Sequence, residues 1–232
     1  MAKENEILSQ ARKEKRTVLT EIESKKILRE VSINCTDTRL AATREGAVTL
    51  SKEIGYPVVL KISSKDITHK SDAGGVKVNL KDKVEVERAY DEIMTSAKKK
   101  FPNAIIEGIS VQSMAKPGIE VIMGMVKDPG FGPVMMFGLG GILVEVLKDV
   151  SFRIVPLDKW DASEMIHEIK GKKLLDGYRG QDPANIPYLE DMILKLSTFI
   201  ENTPGIEEID MNPVFAYKDG AVVVDARIIL SA

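Results

Sequence analysis

Between Pro57 and Leu80 the chain reads PVVLKISSKDITHKSDAGGVKVNL. A short apolar run closes on Lys61. A loop of small and charged residues follows, carrying His69, one of the two histidines in the chain. The glycine pair Gly74 and Gly75 then leads into a second alternating run. This pattern predicts strand, polar loop, strand, with Lys61 at the edge of the first strand and His69 held out on the loop. Small hydroxyls such as Ser63, a lysine and paired glycines supply donors, positive charge and close backbone approach, which together are what a phosphate group requires. A titratable imidazole among them suggests phosphoryl chemistry rather than binding alone.

The rest of the chain supplies the frame for that loop. Residues up to about Arg16 are dense in charge and read as a frayed or partner-bound helix, an extension covering residues 1–17. Thr20 opens a T-x-x-E capping box with Glu23, starting a helix that runs to about Val31. A second helix, Thr43 to Ile54, stops at Gly55, with Pro57 preventing its return. Residues 84–100 form a long amphipathic helix with a basic last turn. After Pro102, strands are expected in IEGISVQSM, GIEVIMGMV and twice in PVMMFGLGGILVEVL, then helices at 160–170 and 188–202. The chain closes with two strands, EEIDMNPVFAY and AVVVDARII, joined at Lys218-Asp219-Gly220. Helix and strand mix without a steady βαβ rhythm, so the expected class is α+β in two lobes, residues 18–104 and 105–232.

Composition excludes several function classes. A net charge of −2 advertises neither a nucleic acid nor an anionic membrane as partner. The single Cys35 can form no intrachain disulfide, which fits a reducing, cytoplasmic setting. No apolar stretch approaches the roughly 18 residues of a membrane span.

Each candidate residue has a plainer alternative. Lys61 is either a cation over phosphates or a lysine snorkelling from a strand end. His69 is either a nucleophile toward phosphorus or a surface histidine. His167, within a helix, reads as structural or solvent-facing. The glycines Gly138, Gly140 and Gly141 lack both the dinucleotide and the P-loop spacings, and mark at least a tight bend. Asp210 and Asn212 lie two apart on one strand face, and a hairpin would bring Asp225 alongside. Such oxygen ligands suit Mg²⁺ with room left for phosphate and water; otherwise Asn212-Pro213 breaks a strand and Asp225 is an edge charge.

Together, YPVVLKISSKDITHKSDAGGVKVNL, FGLGGILVEVLKDVSFRIVPL, KLLDGYRG and IDMNPVFAYKDGAVVVDARI resemble the β subunit of the ADP-forming acyl-CoA synthetases (acetate–CoA ligases), which are ATP-grasp proteins. The resemblance covers roughly residues 18 to 230. It implies an ATP-grasp fold whose two lobes clamp ATP or ADP. Lys61, Ser63, Gly74 and Gly75 would serve the phosphates. Val111, Ser113 and Met114 would serve the hinge, and Glu120 the ribose. Asn212 and Asp225 would hold Mg²⁺, and His69 would carry phosphate on a mobile loop. No CoA-binding or ligase domain is evident, so an α subunit is the implied partner, in an α2β2 assembly. The succinyl-CoA synthetase β chain shares the N-P…D ending but is longer and lacks the H-K-S-D-A-G-G loop. Two other functions compatible with ATP-grasp are an ATP-sensing regulatory module and a carboxylate–amine ligase.

Overall fold

The protein was analysed as a computed structural model, which describes residues 5–67, 74–141 and 148–232. The chain divides into two compact units, one made of Met1–Cys35 with Pro117–Ala232 and the other of Thr36–Lys116. Every strand pairing within the two sheets is antiparallel.

The inserted unit is a four-stranded sheet covered by helices. In chain order it holds β1 (Thr38–Ala41), α1 (Arg44–Ile54), β2 (Val58–Ser64), β3 (Val76–Leu80), α2 (Lys83–Lys100) and β4 (Ile106–Ser113), with sheet order β1-β4-β2-β3. The Thr43 side chain accepts from the Gly46 N–H to start α1, and Gly55, at φ +93°, ends it. Asp82 caps α2 in the same way, and Lys98, Lys99 and Lys100 complete its last turn. Val58, Leu60 and Ile62 of β2 with Ile109 and Val111 of β4 form the core against Val86, Ala89 and Ile93 of α2. Each fully buried Val, Leu or Ile side chain among them contributes about 1.5–3 kcal/mol.

The second unit is a six-stranded sheet with helices. It contains α3 (Glu6–Lys13), α4 (Glu21–Glu30), β5 (Ile119–Asp128), β6 (Gly132–Leu139), β7 (Val150–Ile154), α5 (Lys159–Glu168), α6 (Lys172–Leu175), α7 (Ile186–Glu201), β8 (Ile206–Tyr217), β9 (Gly220–Val223) and β10 (Ala226–Leu230). The order is β10-β8-β5-β6-β7, with β9 also on β8. One sheet face, carrying Val121, Met123, Phe137, Ile209 and Ile228, packs into a core with α4, α5 and α7.

Four expectations change. The lobe boundary does not fall at residues 104/105, because β4 hydrogen-bonds between β1 and β2 and belongs with them. Residues 1–35 return to the C-terminal part: the Leu19 N–H donates to the Ile228 C=O at 3.0 Å, and Val223 N–H to the Asn34 C=O at 2.9 Å. The charged N-terminal segment is docked, with Leu8 and Ala11 buried. The final strand is two, β9 and β10, interrupted at Val224 and Asp225. Of the two strands expected in residues 133–147, β6 is one; the second extends onto residues 142–147, outside the described set. Sequence reading did not foresee β1, β7 or α6.

Candidate functional site

In the inserted unit Lys61 and Ser63 occupy the sheet face opposite its core. Residues alternate along a strand, so Lys61 and Ser63 lie on the side away from Leu60 and Ile62. Register sets Lys61 opposite Ser110 on β4 and Val76 on β3. Lys61 is therefore in the middle of β2 and only 5% exposed, not at a strand end. The Ser110 hydroxyl donates to the Lys61 C=O at 3.3 Å. Ser110, Gln112 and Thr38 extend this buried polar face. The Ser63 hydroxyl donates to Glu107 Oε2 at 3.2 Å, and Lys65 reaches the same carboxylate at 3.3 Å.

Val111 belongs to the apolar core, its backbone flanked by Leu60 and Arg39. Ser113 N–H donates to the Asp37 C=O at 2.9 Å and Met114 N–H to the Pro57 C=O at 3.3 Å. Met114 is exposed. Gly74 has φ +66°, favoured by glycine, and an added Cβ would lie 3.1 Å from Ser96 Oγ. The Gly75 C=O accepts from Ile62 N–H at 2.7 Å. His69, with Lys70 and Ser71, lies outside the described residues.

In the larger unit, Glu120 and the glycine cluster come together. Gly140 N–H donates to the Glu120 C=O at 2.8 Å. A Cβ on Gly140 would approach the Glu120 Cβ at 3.1 Å, and one on Gly141, at φ +64°, its Oε2 at 2.8 Å. The glycines thus allow a loop to lie directly on β5. Beyond them, Asp149 is buried and accepts from the Lys170 and Gly171 N–H groups at 2.7 and 2.6 Å, a tether that the sequence did not signal.

The acidic set assembles on the same β5–β8–β10 sheet, on the face away from the core residues Ile209, Met211 and Ile228. β9 and β10 continue one register along β8, Val223 facing Val214 and Ala226 facing Met211, so Asp225 falls opposite Asn212. The Asn212 N–H donates to the Asp225 C=O at 3.3 Å. Asp225 Oδ1 also accepts from Ala226 N–H at 2.9 Å. Asp210 is set opposite Arg227, whose guanidinium pairs with Glu208. Burial pushes the Asp210 carboxyl above its ordinary range; Arg227 opposes this, while Glu208 and Asp225 add to it. Among the described residues no group of three His, Cys, Asp or Glu side chains is arranged to hold a metal. A pair of oxygen donors with a third crowded carboxylate fits instead a hard cation completed by phosphate and water.

His167 is exposed on α5, its Nδ1 2.8 Å from the Ser163 C=O. A separate, mostly apolar pocket of about 430 Å³ lies between Val31 and α7, lined in part by Leu194 and Phe199. No helix among the described residues is long and apolar enough to cross a membrane.

The ATP-grasp domain pattern matches residues 10–230. A protein of Pyrococcus furiosus named acetate–CoA ligase [ADP-forming] I subunit beta is 50% identical over 99% of both chains. A 4-hydroxybutyrate–CoA ligase [ADP-forming] of Nitrosopumilus maritimus is 45% identical over 98% of this chain, which spans 33% of that protein. A structure of acetyl-coenzyme A synthetase 1 from Ca. Korarchaeum cryptofilum, with coenzyme A and Ca-AMPCP, superposes at TM-score 0.94 with 50% identity, covering 97% of this chain and 98% of that one. Another structure of the same synthetase, at TM-score 0.86, 46% identity and the same coverage, holds Mg-AMPPCP, its phosphohistidine segment pointing towards the nucleotide-binding site. The fold is ATP-grasp. Within it, the chain belongs to the family of β subunits of ADP-forming acetate–CoA ligases.

Proposed function

We propose that this chain is the nucleotide-binding β subunit of an ADP-forming acyl-CoA synthetase, which with an α subunit converts acyl-CoA, ADP and phosphate to carboxylic acid, CoA and ATP. The observation that carries this is Asn212 set directly opposite Asp225, beside the crowded Asp210, on one sheet face. Those two residues hold Mg²⁺, and the relative with bound Mg-AMPPCP supports the choice of metal. Bound there, Mg²⁺ would supply positive charge to the nucleotide's phosphate oxygens.

The chain's own step is reversible phosphoryl transfer. An unprotonated ring nitrogen of His69 attacks the γ-phosphorus of ATP, the bond to the β-phosphate oxygen breaks, and ADP leaves with the electron pair. Synthesis of ATP runs this backwards. Lys61 neutralises phosphate charge, with Ser63 and the amides of Gly74 and Gly75 as donors, since such transfers depend mainly on positioning and electrostatics. Ser113, Met114 and Glu120 serve the nucleoside, and Val111 supports that strand from the core. Phosphate carried on His69 is then passed to the α subunit. The name of the P. furiosus relative, a β subunit, and the single-chain relative three times as long both support a partner carrying the remaining activities. We assign the assembly as α2β2 and its setting as cytoplasmic.

The test is phosphate transfer from γ-labelled ATP to this chain in complex with its α subunit, beside His69→Asn. Acid-labile, base-stable label on the wild-type chain, absent from the variant, is the expected result. No label despite demonstrated ATP binding would remove His69 from the chemistry.

A further inference from the structure

The break between β9 and β10 draws in a residue from another element. On a narrow rung of an antiparallel pair, opposed residues exchange two hydrogen bonds. Val224 N–H donates to the Pro213 C=O at 3.0 Å. Pro213 has no N–H to return, so the Val224 C=O lacks its sheet donor. Lys25 of α4 supplies one: its Nζ donates to that C=O at 2.6 Å and to Glu21 Oε1 at 2.7 Å. Lys25 is 0% and Glu21 7% exposed. Removing an ammonium from water is costly, and a well-packed apolar side chain would stabilise the fold as well or better. The carbonyl so held belongs to the residue adjoining Asp225, at the point where Asp225 faces Asn212.

We infer that Lys25 is a positioning residue for the cation site, replacing the hydrogen bond that Pro213 cannot give and so fixing Asp225 against Asn212. This rests on the proposed reading of Asn212 and Asp225 as metal ligands. Groups that orient ligands from behind typically change metal affinity about 10–100-fold when removed. They need not touch the nucleotide.

The measurement is calorimetric titration of ADP into the full chain with its α subunit, across a series of Mg²⁺ concentrations and in EDTA. Lys25→Met alone strands a buried carboxylate, so Glu21→Gln/Lys25→Met, which removes both charges of this pair, is the deciding variant. It is expected to melt cooperatively, bind ADP in EDTA as the wild type does, and need about ten-fold more Mg²⁺ at the midpoint. A cooperative variant whose Mg²⁺ midpoint stays within two-fold of wild type overturns the inference. So does loss of the cooperative melt, which would assign Lys25 to folding. Asp225→Asn separates the two levels: if it leaves the Mg²⁺ titration unchanged, the proposed metal site itself is wrong. If it abolishes the Mg²⁺ dependence while the Lys25 variant does not move it, only the positioning role fails.

Discussion

Asp210 and Cys35 show how a fold sets the chemistry of single side chains. Burial raises the Asp210 carboxyl above its reference value of 3.8. Between that value and the raised one, the folded protein holds more protons than the unfolded chain. Stability therefore falls as pH rises through this window, and the penalty persists above it. Asp210→Asn should raise the metal-free melting midpoint at pH 7.5 and change it much less near pH 3.5; no gain at pH 7.5 would contradict the burial argument. Cys35 is buried, and burial pushes its thiol up to about 11, with Arg29 and Lys25 pulling weakly the other way. Little thiolate exists at pH 8, so a disulfide reagent should label native Cys35 far more slowly than the urea-unfolded chain. Equal rates would show that the site opens freely. Neither property was legible in the sequence, where Asp210 was one of a spaced trio and Cys35 only a lone thiol.

Capping residues mark where elements begin. In α4, Glu23 N–H donates to Thr20 Oγ1 at 3.2 Å and Thr20 N–H returns to Glu23 Oε2 at 2.8 Å, as the T-x-x-E spacing predicts. Arg16 adds a bond to Glu23 Oε1 at 2.8 Å. Thr20→Ala should cost about 1 kcal/mol, read as a lower urea midpoint with unchanged slope; no shift would show the cap to be dispensable. Because α4 carries Lys25, this cap also anchors the helix that reaches Val224. Strands were less legible. β2 and β4 each contain five or more consecutive buried residues, so the period-2 signal that separates a core face from a wet one is lost. Lys61 looked like a strand terminus for that reason: a lysine in an apolar run reads as an end, although the strand continues to Ser64.

The division of the molecule depends on which strands pair. The inserted unit has its own core of β2, β4 and the two helices over them. A fragment of residues 36–116 should accordingly show a cooperative thermal melt, and a non-cooperative one would mean that its core is insufficient alone. The larger unit is discontinuous, since α4 packs on β10 and Leu19 bonds to Ile228 across the length of the chain. Contiguous halves were the natural expectation from sequence, because neither the return of residues 1–35 nor the capture of β4 has a local signature.

The sequence by itself determined helix starts at Thr20 and Thr43, the stop at Gly55, and the short stretches that mark the ATP-grasp family. These are set within a few residues, by side chains satisfying nearby backbone groups or by glycine adopting a left-handed turn. Tertiary structure alone decided that β4 joins β1 and β2, and that Lys25 serves a carbonyl 199 residues away. Those outcomes depend on long-range register and on which face is buried. A one-residue slip would turn every side chain of a strand to its other face, so only the packed core fixes them.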